Sequence, residues 1–135
     1  MDLLNNFADL LHEVGDVCEF GCDENDIESV KEMILNINSI KGIRVVKSWS
    51  IWSLDVSDKD KAALQAMGFQ PKIIFSTNII FDLHSPYAVG TGVRSTLLVN
   101  FYKNCIFETK NTFYILAGTG TTKRVDPKLA FAVFF

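Results

Sequence analysis

The sequence predicts an α+β fold: a single antiparallel sheet of about five strands, packed by two N-terminal helices, a short middle helix and a C-terminal helix. Residues 93–118 carry this prediction. They hold three short apolar runs, at 93–101, 104–109 and 112–117, each rich in β-branched and aromatic residues. A polar break containing Asn separates each run from the next, which is typical of strands joined by hairpins. This meander is therefore expected at the centre of the sheet.

Two helices are predicted ahead of the sheet, in residues 2–14 and 23–37, with a connector at 16–21. In both, apolar side chains recur every three or four residues, which places them on one helical face. Gly15 ends the first helix. Acidic residues crowd the start of the second, where they favour the positive end of the helix dipole. The two apolar faces comprise Leu3, Phe7, Leu10, Leu11 and Val14, and then Ile27, Val30, Met33, Ile34 and Ile37.

The next stretch predicts a strand followed by a short helix. Residues 43–56 are β-rich and apolar on both faces, which indicates a strand partly buried on both sides or one with a bulge. Residues 57–67 then form the short helix, with Ser57 or Asp58 as its cap and Gly68 just beyond its end.

The remaining segments are a strand, a loop, a turn and a helix. Residues 72–83 favour one long strand, although the polar Ser-Thr-Asn in their middle also allows a turn that splits them into two. Pro and Gly make 84–92 a loop. After the meander we expect a turn at 118–120. An Asp-Pro pair then opens a final helix at 127–134.

Composition and charge limit the function classes. The chain has 135 residues, which suits one domain over residues 1–135. Its net charge of −3 gives no electrostatic reason to expect nucleic acid. No apolar run is long enough to span a membrane, and the acidic, amphipathic start does not resemble a secretory signal. We therefore expect a cytoplasmic protein that binds neither nucleic acid nor membrane.

The cysteines and the one glycine-rich turn indicate neither a metal nor a cofactor. Three cysteines, an odd number, fit free thiols in a reducing compartment better than a disulfide framework. Cys18 and Cys22 are four apart, which does not match zinc-knuckle spacing. The stretch 118–123 lacks the spacing of a phosphate-binding loop, and turn chemistry explains it.

The strongest candidate site is the loop that follows the predicted strand 72–83. Asp82, His84, Tyr87 and Arg94 flank it, and together they could bind an anionic ligand or move protons. In that interpretation His84 is a base and Arg94 an anion clamp. The alternative is a loop anchored by an Asp–Arg salt bridge, with a surface histidine.

Glu108 is a second candidate ligand-binding residue. If the meander pairs as predicted, Thr96 and Glu108 approach each other across the sheet. Cross-strand pairing on a solvated face is the alternative to a pocket there. Trp49 and Trp52, three apart, are expected on opposite faces of their strand and so do not form a shared stacking platform.

The C-terminal third resembles a family of small uncharacterised bacterial proteins. The resemblance lies in VRSTLLVNF and in CIFETKNTFYILAGTGTTKRVDP, at Val93, Arg94, Ser95, Thr96, Phe107, Glu108, Thr109, Asn111, Thr112, Tyr114, Leu116, Gly118 and Gly120. Proteins of this kind occur in proteobacteria and on mobile elements such as prophages and gene cassettes. The resemblance implies a cytoplasmic accessory protein and carries over no activity.

Without a strong catalytic constellation, the sequence favours a protein-interaction module that binds another protein or self-associates as a homodimer. Apolar side chains such as Trp52, Phe134 and Phe135 exceed what this core is expected to hold. The alternative is a small-ligand or enzymatic pocket at the Asp82–Arg94 loop, so enzymatic activity stays open.

Overall fold

One long strand runs through the middle of the molecule and pairs along both of its edges. It is the 13-residue strand β2 (Gly42–Leu54) in this computed structural model, which describes residues 15–18, 20–37 and 40–132. The other strands are β1 (Asp16–Cys18), β3 (Lys72–Asp82), β4 (Val93–Arg94), β5 (Asn100–Tyr102), β6 (Ile106–Glu108), β7 (Thr112–Leu116) and β8 (Gly120–Val125). The helices are α1 (Ile27–Ile37), α2 (Asp58–Ala66) and α3 (Pro127–Ala130).

The two edges of β2 have different partners. Along one edge, β3 pairs antiparallel with it over most of its length. Along the other edge, β7 pairs parallel with its first half and β8 pairs parallel with its second half. The hairpin strands β5 and β6 extend the sheet beyond β7, while β1 lies outside β8 and β4 outside β3. The described residues thus form one mixed sheet of eight strands.

The predicted fold, a single antiparallel sheet of about five strands with four helices, is wrong. The structure is strand-rich, with eight strands in a mixed, curled sheet and only three short helices among the described residues. The parallel pairs join residues 42–54 to 112–125, and no local pattern reports contacts so distant in sequence. Strand β8 was not predicted, because its sequence GTTKRV is polar. It forms a strand because β1 and β2 pair with it on its two edges.

Several predicted elements are confirmed. Strand β3 is one long strand, and β2 carries the predicted bulge, seen as a shift in its register to β3 between Val45 and Val46. Helix α1 follows a short 3₁₀ turn that Asp23 caps, and Ser57 caps α2. The predicted helix at 2–14 lies outside the described residues. The helix predicted at 127–134 begins as predicted but ends at Ala130, and residues 131–132 form a turn.

The meander is confirmed in part. Strands β5, β6 and β7 pair in sequence order as antiparallel neighbours, but they lie towards one end of the sheet and not at its centre as predicted. The first predicted run, 93–101, is divided between two places, because its start pairs with β3 as β4 and only its end forms β5. Helix α2 has no buried residue, so the packing predicted for it is also wrong. Residues 16–18, expected in a connector, form β1.

The sheet curls so that its inner face encloses one core cluster. That cluster draws buried side chains from β1, β2, β3, β4, β6 and β7: Cys18, Val46, Trp49, Ile51, Ile74, Ile79, Val93, Phe107, Tyr114 and Leu116, with Leu98. Helix α1 covers the outer face of the first half of the sheet through Ile27 and Ile34. Helix α3 covers the outer face of the second half, where Trp52 stacks on Phe75. Trp49 and Trp52 lie on opposite faces, as predicted.

The sheet curls at the point along β2 where its parallel partner changes from β7 to β8. Between the two pairings the β7–β8 side holds one residue more than β2, and the chain turns there at Gly118 with φ +68°. Trp49 packs into this corner, the place where the partner of β2 changes. Its indole N–H donates to the Ala117 carbonyl at 3.2 Å, and its ring packs against the Cα atom of Gly120. A Cβ on Gly120 would lie 2.4 Å from the Trp49 ring and 2.5 Å from its carbonyl oxygen.

Gly120→Ala is therefore expected to lower the free energy of unfolding by about 2 kcal/mol, the usual cost of forcing an extra methyl group into a packed core. Urea unfolding followed by tryptophan fluorescence measures the change. Gly42→Ala is the matched control, because Gly42 lies on β2 and its added Cβ would meet nothing closer than 3.5 Å. We expect that variant to stay within about 0.5 kcal/mol of the parent protein. Equal effects at the two glycines would contradict this account of the corner.

Candidate functional site: a groove between α1 and the β5–β6 turn

One side of α1 is left uncovered by the sheet. The first residues of the helix segment are acidic, and Asp23 accepts a hydrogen bond from the Asn25 N–H at 3.0 Å. Ile27 and Ile34 point into the core. Asp26, Ser29, Met33 and Ile37 follow one another at spacings of three and four, so they share the neighbouring face of the helix. This face forms one wall of a groove.

The opposite wall is the tight turn between β5 and β6. Lys103 and Asn104 both have positive φ, +54° and +57°, as a type I′ hairpin turn requires. Such a turn matches the twist of the two strands, and the ladder between them begins at the pair Tyr102 and Ile106. Tyr102 precedes the turn, and Cys105 follows it.

The groove between these walls consists of two adjoining cavities of about 400 and 140 Å³. They share Met33 and Lys103, so they form one continuous depression. The larger is lined by Cys22, Asp26, Ser29, Val30, Met33, Lys103 and Cys105, and the smaller by Met33, Ile34, Ile37, Tyr102, Lys103, Ile106 and Phe113. The lining is thus mostly apolar, with polar groups at the end near the start of α1.

A buried ion pair holds the apolar end of the groove in shape. Glu108 is buried on β6, and one of its carboxylate oxygens accepts a hydrogen bond from the Lys41 ammonium. The Tyr102 hydroxyl donates to the other oxygen at 2.6 Å. Lys41 also donates to the Thr109 carbonyl at 2.9 Å and lies 5.1 Å from the centre of the Phe113 ring. The network therefore fixes the ring of Tyr102, which is part of the groove wall.

The charges in this network favour an ionised Glu108. Burial alone raises the pKa of Glu108, but the hydrogen bonds from Lys41 and Tyr102 outweigh burial, and its pKa falls below the ordinary glutamate value. The hydrogen bond to Glu108, together with burial, raises the pKa of Tyr102. At neutral pH Glu108 is thus a carboxylate and Tyr102 a neutral phenol.

Two thiols lie at the polar end of the groove. Cys22 and Cys105 are both buried, and a hydrogen bond connects their side chains. Burial, followed by the neighbouring Cys22, raises the pKa of Cys105 to about 12. Burial also raises the pKa of Cys22, with a further contribution from Asp26. Both groups are therefore protonated thiols at neutral pH. No group of three or more His, Cys, Asp or Glu side chains among the described residues could hold a metal ion.

A separate polar cleft of about 410 Å³ lies between α2 and the end of the sheet. Its charged lining residues are Asp55, Asp58, Lys61, Lys72 and Arg124, so both signs are present. Arg124 donates to Asp55 at 2.7 Å, and both side chains are exposed. An exposed pair of this kind contributes little stability, and mixed charges give the cleft no preference for a charged ligand.

Asp82 is held by Arg44, and not by the Arg94 that the sequence predicts as its salt-bridge partner. It is buried at the end of β3, and its carboxylate accepts a hydrogen bond from Arg44 Nε at 2.6 Å. Its other oxygen accepts from the backbone N–H groups of His84 and Ser85, at 3.0 and 2.9 Å. Asp82 thus anchors the start of the loop to β2.

The other residues predicted around that loop lie apart. His84 is exposed, and Tyr87 is 86% exposed in a 3₁₀ turn. Arg94 on β4 pairs with Phe75, and Phe75 precedes Asp82 by seven residues on β3. At the usual rise per residue, the backbones of Arg94 and Asp82 are therefore roughly 20 Å apart. The Arg94 guanidinium lies 5.1 Å from the centre of the Phe131 ring. Glu108 lies opposite Asn100, not Thr96.

The groove residues carry no motif that marks them as a site in the sequence. Met33 and Ile37 belong to the predicted apolar face of α1. The one sequence signal for a binding site was the width of this face, because packing on the sheet buries only Ile27 and Ile34. Nothing in the sequence pairs Cys22 with Cys105, because the contact depends on the long-range placement of the β5–β6 turn.

Comparison with known proteins places the groove in a domain family. A family model described as a domain of unknown function, DUF6957, matches residues 19–132. The chain belongs to this family. The match confirms the resemblance to an uncharacterised family, and it extends well beyond the C-terminal third. Every residue that lines the groove lies within the DUF6957 domain. No curated protein and no solved structure matches the chain. No helix in the described part of the chain is long and apolar enough to cross a membrane.

Glu108→Gln is expected to destabilise the DUF6957 domain in a pH-dependent way. Because the folded-state pKa is lowered, the ionised group contributes stability fully above the unfolded-state pKa of about 4.3, and this stability is lost as pH falls through the folded-state pKa. The loss on substitution should be about 1–3 kcal/mol at pH 7 and should shrink towards pH 3. Urea unfolding across this pH range measures it.

Glu28→Gln is the matched control for that experiment. Glu28 is exposed on α1 and pairs with Lys31 at 2.9 Å, so its loss should cost at most about 0.5 kcal/mol. A destabilisation by Glu108→Gln that does not change between pH 7 and pH 3 would show that the charge of Glu108 does not contribute.

Proposed function

We propose that this DUF6957 protein is an interaction module that binds a basic amphipathic peptide segment of another protein in the groove beside α1. The observation that carries the proposal is the exposure of large apolar side chains at the groove. Ile37 is 71% exposed and Tyr102 is 41% exposed, and both line it. Exposed apolar side chains around a concave surface are typical of protein-binding sites.

The shape of the groove suits a helix or an extended peptide. Its walls are a helix and a well-paired hairpin, and Glu108 fixes the orientation of Tyr102. A partner therefore loses little free energy in ordering the site. A peptide with apolar residues at helical spacing would place them against Met33, Ile37 and Tyr102, which is the helix-in-groove mode of recognition.

The charges near the groove favour a basic partner over a second copy of the chain. Five carboxylates, Asp23, Glu24, Asp26, Glu28 and Glu32, lie along the first part of the helical wall. Two of these carboxylates are already paired, Glu28 with Lys31 and Glu24 with Lys47, and Lys103 lines the facing wall, so the surface around the groove keeps a smaller net negative charge. A symmetric dimer through this face would bring two acidic helices together, and like charges across an interface oppose association. A segment with Lys or Arg beside its apolar residues would instead complement the surface.

The family setting of this function is also a proposal. We infer a cytoplasmic accessory protein from bacteria, including ones that carry it on mobile elements. The resemblance of residues 93–120 to such proteins supports the source. Three unpaired thiols support a reducing compartment. The alternative, a small-ligand or enzymatic pocket at the Asp82–Arg94 loop, has less support because Asp82 bonds Arg44, while Arg94 on β4 pairs with Phe75, far from Asp82.

The groove predicts binding of a synthetic Leu/Lys amphipathic peptide about four helical turns long, measured by fluorescence anisotropy. Ile37→Asp should raise the Kd at least tenfold, or about 1.4 kcal/mol, because it places a charge on the apolar rim. Met67→Asp is the matched control, since Met67 is 70% exposed and lines neither cavity of the groove. That variant should bind within about twofold of the parent protein.

Four results would overturn the proposal. The first is no binding at all, and the second is equal binding of a charge-reversed Leu/Glu peptide. The third is a concentration-dependent dimer that Ile37→Asp disperses, which would assign the groove to a second copy. The fourth is tighter peptide binding by Leu10→Asp, which would assign the groove to the chain's own amphipathic N-terminal segment.

A further inference from the structure

Two thiols from distant parts of the chain meet at the floor of the larger cavity. Cys22 precedes α1, and Cys105 follows the β5–β6 turn. They are 6% and 4% exposed, and their side chains are joined by a hydrogen bond.

The backbone holds both cysteines beside the same residue. The Cys22 N–H donates to the Leu116 carbonyl at 2.7 Å, and the Leu116 N–H donates to the Cys105 carbonyl at 2.9 Å. Next to them, the Gly21 N–H donates to the Asn104 carbonyl at 2.8 Å. The two segments are therefore tied to each other and to β7, and the thiols face each other without any change of pairing.

We propose that Cys22 and Cys105 form a reversible dithiol site, which a low-molecular-weight disulfide closes into an internal disulfide bond. One protein thiol attacks a sulfur of the small disulfide, forms a mixed disulfide and releases one small thiol. The second protein thiol then attacks the protein sulfur of the mixed disulfide, the Cys22–Cys105 bond forms and the second small thiol leaves. Two protein thiols are oxidised, one small disulfide is reduced, and two protons pass to the two departing thiolates.

The cavity gives the small disulfide its access, and the core excludes the third cysteine. Cys22 and Cys105 line an open cavity of about 400 Å³, together with the polar side chains of Asp26, Ser29 and Lys103. Cys18 is buried in the inner core cluster, on the other face of the sheet. It cannot reach either thiol without unfolding of the sheet.

Burial raises the pKa of both thiols, so either can begin the exchange once it loses its proton. Because burial keeps both thiols mostly protonated, closure is slow compared with that of an exposed reactive pair. This proposal does not rest on peptide binding, and the exchange is tested on the protein alone, with the cavity free.

The test treats the folded, full-length chain with oxidised glutathione. Intact mass should fall by two hydrogen atoms, and peptide mapping should join Cys22 to Cys105. The melting temperature should rise, because the bond closes a loop of more than 80 residues and restricts the unfolded chain. Cys18→Ala should react as the parent protein does. Cys105→Ala should stop at a mixed disulfide on Cys22, and Cys22→Ala should form no internal bond.

A second measurement does not depend on oxidation. Phenylarsine oxide binds two neighbouring thiols at once, so the folded parent protein and Cys18→Ala should each bind one equivalent, and Cys22→Ala and Cys105→Ala none. Far-UV circular dichroism checks that each variant is folded. Should a variant be unfolded, mapping of the arsenical on the parent protein identifies the pair. A bond or arsenical bridge that includes Cys18, or a folded chain that gives neither product, would overturn the proposal.

Discussion

The corner at Trp49 is the constraint on which the rest of the molecule depends. Strand β2 must pair with β7 and then with β8 without leaving its own backbone groups unpaired. The exchange succeeds because the chain turns at Gly118 and the Trp49 ring occupies the space that a side chain on Gly120 would fill. The indole N–H also satisfies the Ala117 carbonyl at the turn. With this corner in place, the sheet curls and its inner face forms one cluster that draws on both of its ends.

The groove follows from the same geometry. Because the inner face closes on itself, α1 packs on the outer face, where only Ile27 and Ile34 are fully covered. The hairpin tip stands beside the helix and leaves Met33 and Ile37 at the edge of the contact. Glu108, buried but ionised, orients Tyr102 towards this edge. An apolar depression with a fixed shape is thus a product of how the helix and the hairpin meet.

Local patterns were sufficient for the elements whose partners are close in sequence. Acidic residues and apolar spacing located α1, and the polar Asn-containing breaks located the hairpins of the meander. They failed for β8, where Thr and Lys dominate and pairing on both edges decides the conformation. The loop candidates Asp82 and Arg94 seemed close because the chain between them is short. Arg94 lies on β4 and pairs with Phe75, seven residues before Asp82 on β3, so Asp82 and Arg94 are far apart. Arg44, distant in sequence, bonds Asp82 in place of Arg94.

The split pairing of β2 has a consequence for how the chain emerges from the ribosome. Strand β2 and its antiparallel partner β3 are both complete by residue 82, whereas β7 and β8 begin only at residues 112 and 120. During that interval one edge of a long apolar strand has no neighbour, and an open edge of this kind readily pairs with other chains. Parallel contacts between segments so far apart also form slowly. Nascent chains are therefore most exposed to misassembly, and most in need of chaperone protection, while the last third of the protein is being made.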